Sequence, residues 1–237
     1  MFYKLYIFFF PPGFNNNEKK FLIKKLKLKN KLTVFDIGSY VSAFSGRISR
    51  IFKKKKINFH LFDPNIADVI KNKKNHSFIY NNIAIGNKVG FSKFYLNDFF
   101  PSSGSSLLDI TKKDFLWNLS RKIITLNFFG KFFLKKVKVE TIDRYVTLKK
   151  IRIVDILKID TEGSELLVLQ GAKKTLKKTS IIFIEIMGEK KNFYIKEKKI
   201  FKILFENNFN LIKKTKIKTV SILSRIKCFD YIFIKNV

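Results

Sequence analysis

The sequence predicts an α/β protein with a mostly parallel, doubly wound sheet, and three observations point there. Short apolar or β-branched runs alternate with amphipathic segments along most of the chain, as strands alternate with crossover helices. One run, Ile181 to Ile186, reads as a buried strand at the centre of a parallel sheet. Two others end in an acidic residue and a glycine turn, Asp36-Ile37-Gly38 and Asp160-Thr161-Glu162-Gly163. Strand ends of that kind feed the crevice where such sheets bind ligands.

In chain order, Phe2 to Phe10 is apolar apart from Lys4 and stops at Pro11-Pro12-Gly13. It is well short of the ~20 residues needed to span a bilayer and lacks a small-residue cleavage site. We read it as a strand or an adhesive surface segment, with peripheral membrane contact as the alternative. Glu18 to Lys29 places Phe21, Leu22, Lys25 and Leu28 at loosely helical spacing. Residues 1–30 thus form an N-terminal extension and 31–237 one domain. Leu32 to Ile37 is the first strand. Val41, Phe44, Ile48, Ile51 and Phe52 then share one face of a helix, closed by Lys53 to Lys56, where cations suit the negative end of the macrodipole.

Ile57 to Phe62 is the second strand, Ser77 to Ile85 the third and Phe91 to Leu96 a fourth extended run. An irregular, aromatic insertion is expected near 98–135. Alternation resumes with strands at Val137 to Ile142 and Ile153 to Ile159. The helix that follows carries Leu166, Leu169, Ala172 and Leu176 on one side, with Gly171 a candidate break. After Ile181 to Ile186 come a helix from about Lys196 to Glu206 and strands at Phe209 to Lys213 and Tyr231 to Ile234.

The composition is that of a folded chain, with 28 Phe and 46% hydrophobic residues. The formal net charge of +31 invites a nucleic-acid reading. Only six of the 49 basic residues are Arg, however, and phosphate and base recognition favour Arg's planar fork. The joint excess of Lys, Asn, Ile and Phe suggests a compositional bias spread over the surface. Nucleic acid is therefore not the expected partner. Cys228 is the only cysteine, which excludes an intramolecular disulfide and multi-cysteine zinc sites; no metal is expected, and a reducing, cytoplasmic setting fits.

Asp63 ends the second strand, where a carboxylate is placed to accept both ribose hydroxyls of an adenosine cofactor. Gly38 lets the backbone approach a ligand closely. The simpler reading of Asp36 and Asp63 is as turn aspartates. His60 reads as a packing residue and His76 as solvated in a Lys/Asn-rich turn. Lys158 shares a strand face with Asp160 and is a candidate to orient it.

The ordered set VFDIGSYVS, FHLFDPN, NNIAIGNKVGFSKFY, SSGSSL, VKVETIDRY and above all ILKIDTEGSELLVLQGA resembles the FkbM-type methyltransferases over Val34 to Ile186. That resemblance implies a Rossmann-like class I methyltransferase fold, mostly parallel with an antiparallel C-terminal strand. It implies S-adenosylmethionine as cofactor and O-methylation of a hydroxyl on a sugar, glycolipid or other small molecule. It puts Asp36, Gly38, Ser39 and Tyr40 in the cofactor turn, Asp63 on the ribose, Ala84 against the adenine, and Asp160 and Glu162 beside the methyl group. Tyr40 and Ser42 depart from the family's D-x-G-A-N-x-G, standing where a small amide and a glycine are usual. Asp160 and Glu162 are the candidate bases, with capping of the next helix as the other role for Glu162. Two rival readings remain: a nucleic-acid methyltransferase, although DTEG stands where an Asn/Asp-Pro-Pro-aromatic motif is expected, and a degenerate, non-catalytic relative.

Overall fold

A computed structural model describes residues 15–66, 70–97, 105–109, 132–216 and 226–236. The opening run Phe2 to Phe10 and most of the expected insertion lie outside the described residues. Helix α1, Asn16–Leu26, starts at a capping box: Asn15 and Glu18 exchange side-chain and backbone hydrogen bonds at 2.9 Å each, satisfying donors the first turn would leave orphaned. Its Leu22 and Leu26 are buried with Leu32 in the core.

The remaining elements are β1 (Lys31–Ile37), α2 (Ala43–Ile51), β2 (Lys56–Phe62), β3 (His76–Asn81), β4 (Ala84–Ile85), β5 (Gly90–Asn97), β6 (Phe132–Glu140), α3 (Ile142–Leu148), β7 (Val154–Ile159), α4 (Glu165–Gln170), α5 (Lys173–Leu176), β8 (Thr179–Glu189), α6 (Lys190–Glu206), β9 (Phe209–Lys216) and β10 (Ile226–Lys235). The large sheet has the order β3-β2-β1-β7-β8-β10-β9. Its first five strands are parallel, and β10 runs antiparallel to both β8 and β9. Order reverses between β1 and β7, so the ligand crevice of a doubly wound sheet falls there.

Both faces of this sheet are covered. Neighbouring residues of one strand point to opposite sides, so Val34, Ile156 and Ile181 pack with α1 and α2, whereas Phe35, Leu157 and Ile182 pack with α3, α4, α5 and α6. Strands buried on both faces read as continuous apolar runs for this reason.

Three expectations are corrected. The third strand is not continuous: β3 ends at Asn81 in the large sheet, and Ala84–Ile85 pairs with β6 in a second sheet of order β4-β6-β5. The strand expected to reach Ile142 stops at Glu140, because Thr141 caps α3 by accepting the Arg144 amide at 3.2 Å. His76 is buried, its Nδ1 2.7 Å from Ser49 Oγ and its Nε2 3.3 Å from the Phe52 carbonyl at the end of α2. The polar sequence around it gave no hint of that helix end. The break at Gly171 is as expected, and α6 begins earlier than expected, at Lys190.

Candidate functional site

At the reversal point, Gly38 and Tyr40 after β1, Asp63 after β2, Ala84 of β4, and Asp160 and Glu162 after β7 line one cleft of about 660 Å3, solvent at its mouth included. Ile83, Ile85, Phe62, Phe94 and Leu107 make an apolar wall, and Asn65, Ser105, Thr161 and Ser164 add polar atoms. These lining residues were not singled out from sequence. Most stand outside the strand ends that draw attention to themselves.

Gly38 has φ +77°, and a Cβ there would fall 1.7 Å from the Asp160 carbonyl oxygen. Its glycine is thus demanded first by the close approach of two strand-end turns, and only then by any ligand. Asp63 is anchored through both oxygens: Oδ2 accepts the Tyr40 amide at 3.1 Å and Oδ1 the Asn65 amide at 2.8 Å. A carboxylate has about four acceptor sites, so capacity remains for a pair of hydroxyls. Burial pushes its carboxyl up to about 6, against the Asn65 and Tyr40 amides and the Lys158 ammonium, which favour the charged form.

Asp36 and Ser39 do not line the cleft. Asp36 is buried and accepts the Ser45 hydroxyl at 2.7 Å and the Ser45 amide at 3.3 Å, which ties β1 to the first turn of α2. Ser39 is buried, and its hydroxyl makes no hydrogen bond among the described residues. Lys158 joins the two turns: its Nζ lies 3.0 Å from Asp160 Oδ2 and 3.4 Å from Asp36 Oδ1, and donates to the Gly38 carbonyl at 3.1 Å. Burial opposes its charge, but Asp160 and Asp36 together hold the ammonium above its usual range.

The turn after β7 is held by a residue the motif contains but the reading passed over. Glu165, buried, accepts the Gly163 amide at 2.6 Å and the Thr161 hydroxyl at 3.3 Å, and pairs with Lys196 of α6. Lys196 also donates to the Gly163 carbonyl at 2.6 Å and the Met187 carbonyl at 2.7 Å. Glu162 has φ +54°, and the amide of Gly163 is taken by Glu165. Glu185, hidden in the apolar run of β8, stands opposite Asp230 of β10 in the ladder. Burial, then the charges of Asp160, Asp230 and Glu162, raise its carboxyl well above the ordinary range. His60 donates to or accepts from the Tyr145 hydroxyl at 2.8 Å inside the core, and burial, helped by Lys149, lowers it to about 4.

An adenosine-bearing cofactor fits these residues: an anchored acid for hydroxyls and an apolar wall for a base. A sheet of this order with such a cleft at its reversal point is of the class I methyltransferase type. Residues 36–211 match the family described as the methyltransferase FkbM domain, and the chain belongs to that family. Among solved structures it is similar to the methyltransferase FkbM from Methylobacillus flagellatus KT, with TM-score 0.48 and 10% identity over 85% of this chain. The chain spans 44% of that protein's length. It is also similar to the precorrin-6y C5,15-methyltransferase from Geobacter metallireducens GS-15, with TM-score 0.40 and 12% identity over 94% of this chain and 88% of that one. No curated protein matches the sequence.

Proposed function

We propose that the chain is an S-adenosylmethionine-dependent O-methyltransferase whose acceptor is a hydroxyl of a sugar, glycolipid or other small molecule. The observation that carries this reading is the cleft itself. Its lining brings together the anchored Asp63, the apolar wall around Ala84, and the carboxylates Asp160 and Glu162. When bound, the sulfonium cofactor supplies an activated methyl group, so the protein's tasks are alignment and proton removal.

In this reading Asp63 accepts the ribose hydroxyls, Ala84 and its neighbours pack on the adenine, and the Gly38-Ser39-Tyr40 turn takes the remaining polar part. Asp36 acts from behind, holding α2 and Lys158. Asp160 receives the acceptor's hydroxyl proton or orients that hydroxyl, with Glu162 as its partner. Lys158, 3.0 Å from Asp160 Oδ2, fixes the direction of that carboxylate, which suits a hydrogen-bond acceptor for the attacking hydroxyl.

Calorimetry with S-adenosylmethionine and its demethylated product tests the first half of this proposal. Binding to the wild-type chain with loss in Asp63→Ala is the expected result. No binding, or equal affinity in the variant, overturns it. A screen of sugar and glycolipid acceptors for methyl transfer tests the second half.

A further inference from the structure

The antiparallel pair β5–β6 stands beside the cleft and has two unlike faces. Phe94 on its inner face packs with Ala84, Val137 and Val139 and reaches the cleft wall. The ladder pairs Phe91 with Lys138, Lys93 with Lys136, and Tyr95 with Leu134, so these six side chains share the outer face. Phe91 is 68% exposed and Leu134 57%, and Lys93, Lys136 and Lys138 are exposed as well. Lys136 Nζ lies 5.1 Å from the centroid of the Phe91 ring. Neither strand adds an acidic side chain to this face: β5 contains none, and Glu140 of β6 is buried against Arg144.

We propose that this outer face docks on an anionic lipid surface, which presents the mouth of the neighbouring cleft to that surface. Apolar side chains ringed by lysines suit the boundary between headgroups and acyl chains, with each ammonium at headgroup level and each stem along the apolar part. A nucleic-acid backbone would reward the lysines but not Leu134, which offers no ring to a base. The patch also lacks the Arg fork that phosphate recognition favours. Docking of this kind does not depend on methyl transfer, and its test does not use activity.

The full chain is sedimented with vesicles of phosphatidylcholine alone and of phosphatidylcholine with phosphatidylglycerol. Binding to the second alone is expected. Lys93→Glu with Lys136→Glu should weaken it about tenfold or more, since each lysine near a charged bilayer contributes on the order of a fivefold change. Phe91→Ser with Leu134→Ser, which leaves the charge unchanged, should weaken it about tenfold by removing the inserted groups. Lys173→Glu with Lys177→Glu, equal in charge but on α5 and just beyond it, should leave most binding intact. The proposal is overturned by any of four results: no binding to the anionic vesicles, an equal loss in the α5 pair, full binding by the Phe91/Leu134 variant, or full binding by the Lys93/Lys136 variant. It is also overturned if the ribbon variants lose binding to a short RNA while keeping the vesicles. Melting temperatures and cofactor calorimetry on each variant verify that the fold is retained.

Discussion

If Asp63 holds the ribose hydroxyls, cofactor affinity must follow its ionisation. Burial lifts this carboxyl from 3.8 to about 6, which corresponds to about 3 kcal/mol disfavouring the charged form in the free protein. Below pH 4 the group is protonated in folded and unfolded chains alike, and its contribution to stability is fully present. As pH rises through about 6 the folded chain must ionise against burial, and that contribution is lost. Hydroxyl donors on a bound cofactor favour the carboxylate, so binding offsets part of this penalty and releases protons near pH 5 to 6. With the charged form as the tight binder, S-adenosylmethionine should bind about tenfold more weakly at pH 5 than at pH 7. Calorimetry at pH 5, 6, 7 and 8, in buffers of different ionisation enthalpy, measures both the affinity and the proton count. Asp63→Asn should bind weakly and with little pH dependence. A wild-type Kd that is flat from pH 5 to 8, or a variant that keeps the wild-type slope, refutes the assignment.

Three further predictions concern the turns around the cleft. In single-turnover methyl transfer, Asp160→Asn or Glu162→Gln should slow the chemical step by ~10²-fold or more with little change in cofactor affinity; wild-type rates in both would remove the pair from the proton path. Lys158→Met leaves the buried Asp36 carboxylate without its counter-charge and should cost about 3 to 5 kcal/mol in urea unfolding. Adding Asp36→Asn should recover part of that loss, and strict additivity would deny the coupling. Ser42 sits at φ +56°, a conformation that costs a side-chain-bearing residue ~1 to 2 kcal/mol. Ser42→Gly should therefore raise the melting temperature by several degrees, and a drop would mean that its buried hydroxyl outweighs the backbone strain.

Much of this protein was legible in its sequence because the relevant signals are local. Strand-length apolar runs, the period of α2, the break at Gly171 and the acids at two strand ends each follow from neighbours a few residues apart. Six of the eight residues singled out as a site, Gly38, Tyr40, Asp63, Ala84, Asp160 and Glu162, come together in one cleft, because strand ends in a doubly wound sheet converge where the strand order reverses. What only the tertiary structure decided depends on partners distant in the chain. Asp36 turned away from the cleft because Ser45 and Lys158 were there to receive it. Glu165 anchors the turn after β7, since Lys196 comes from a helix about thirty residues on. His76, in a polar stretch, was drawn inside by the end of α2, whose last carbonyls needed donors. Ala84 left the large sheet for a small one because β6 offered a parallel edge that the local sequence could not foretell. Burial in each case is a property of what packs above a residue, and the chain's local pattern specifies only which side of its own element that residue occupies.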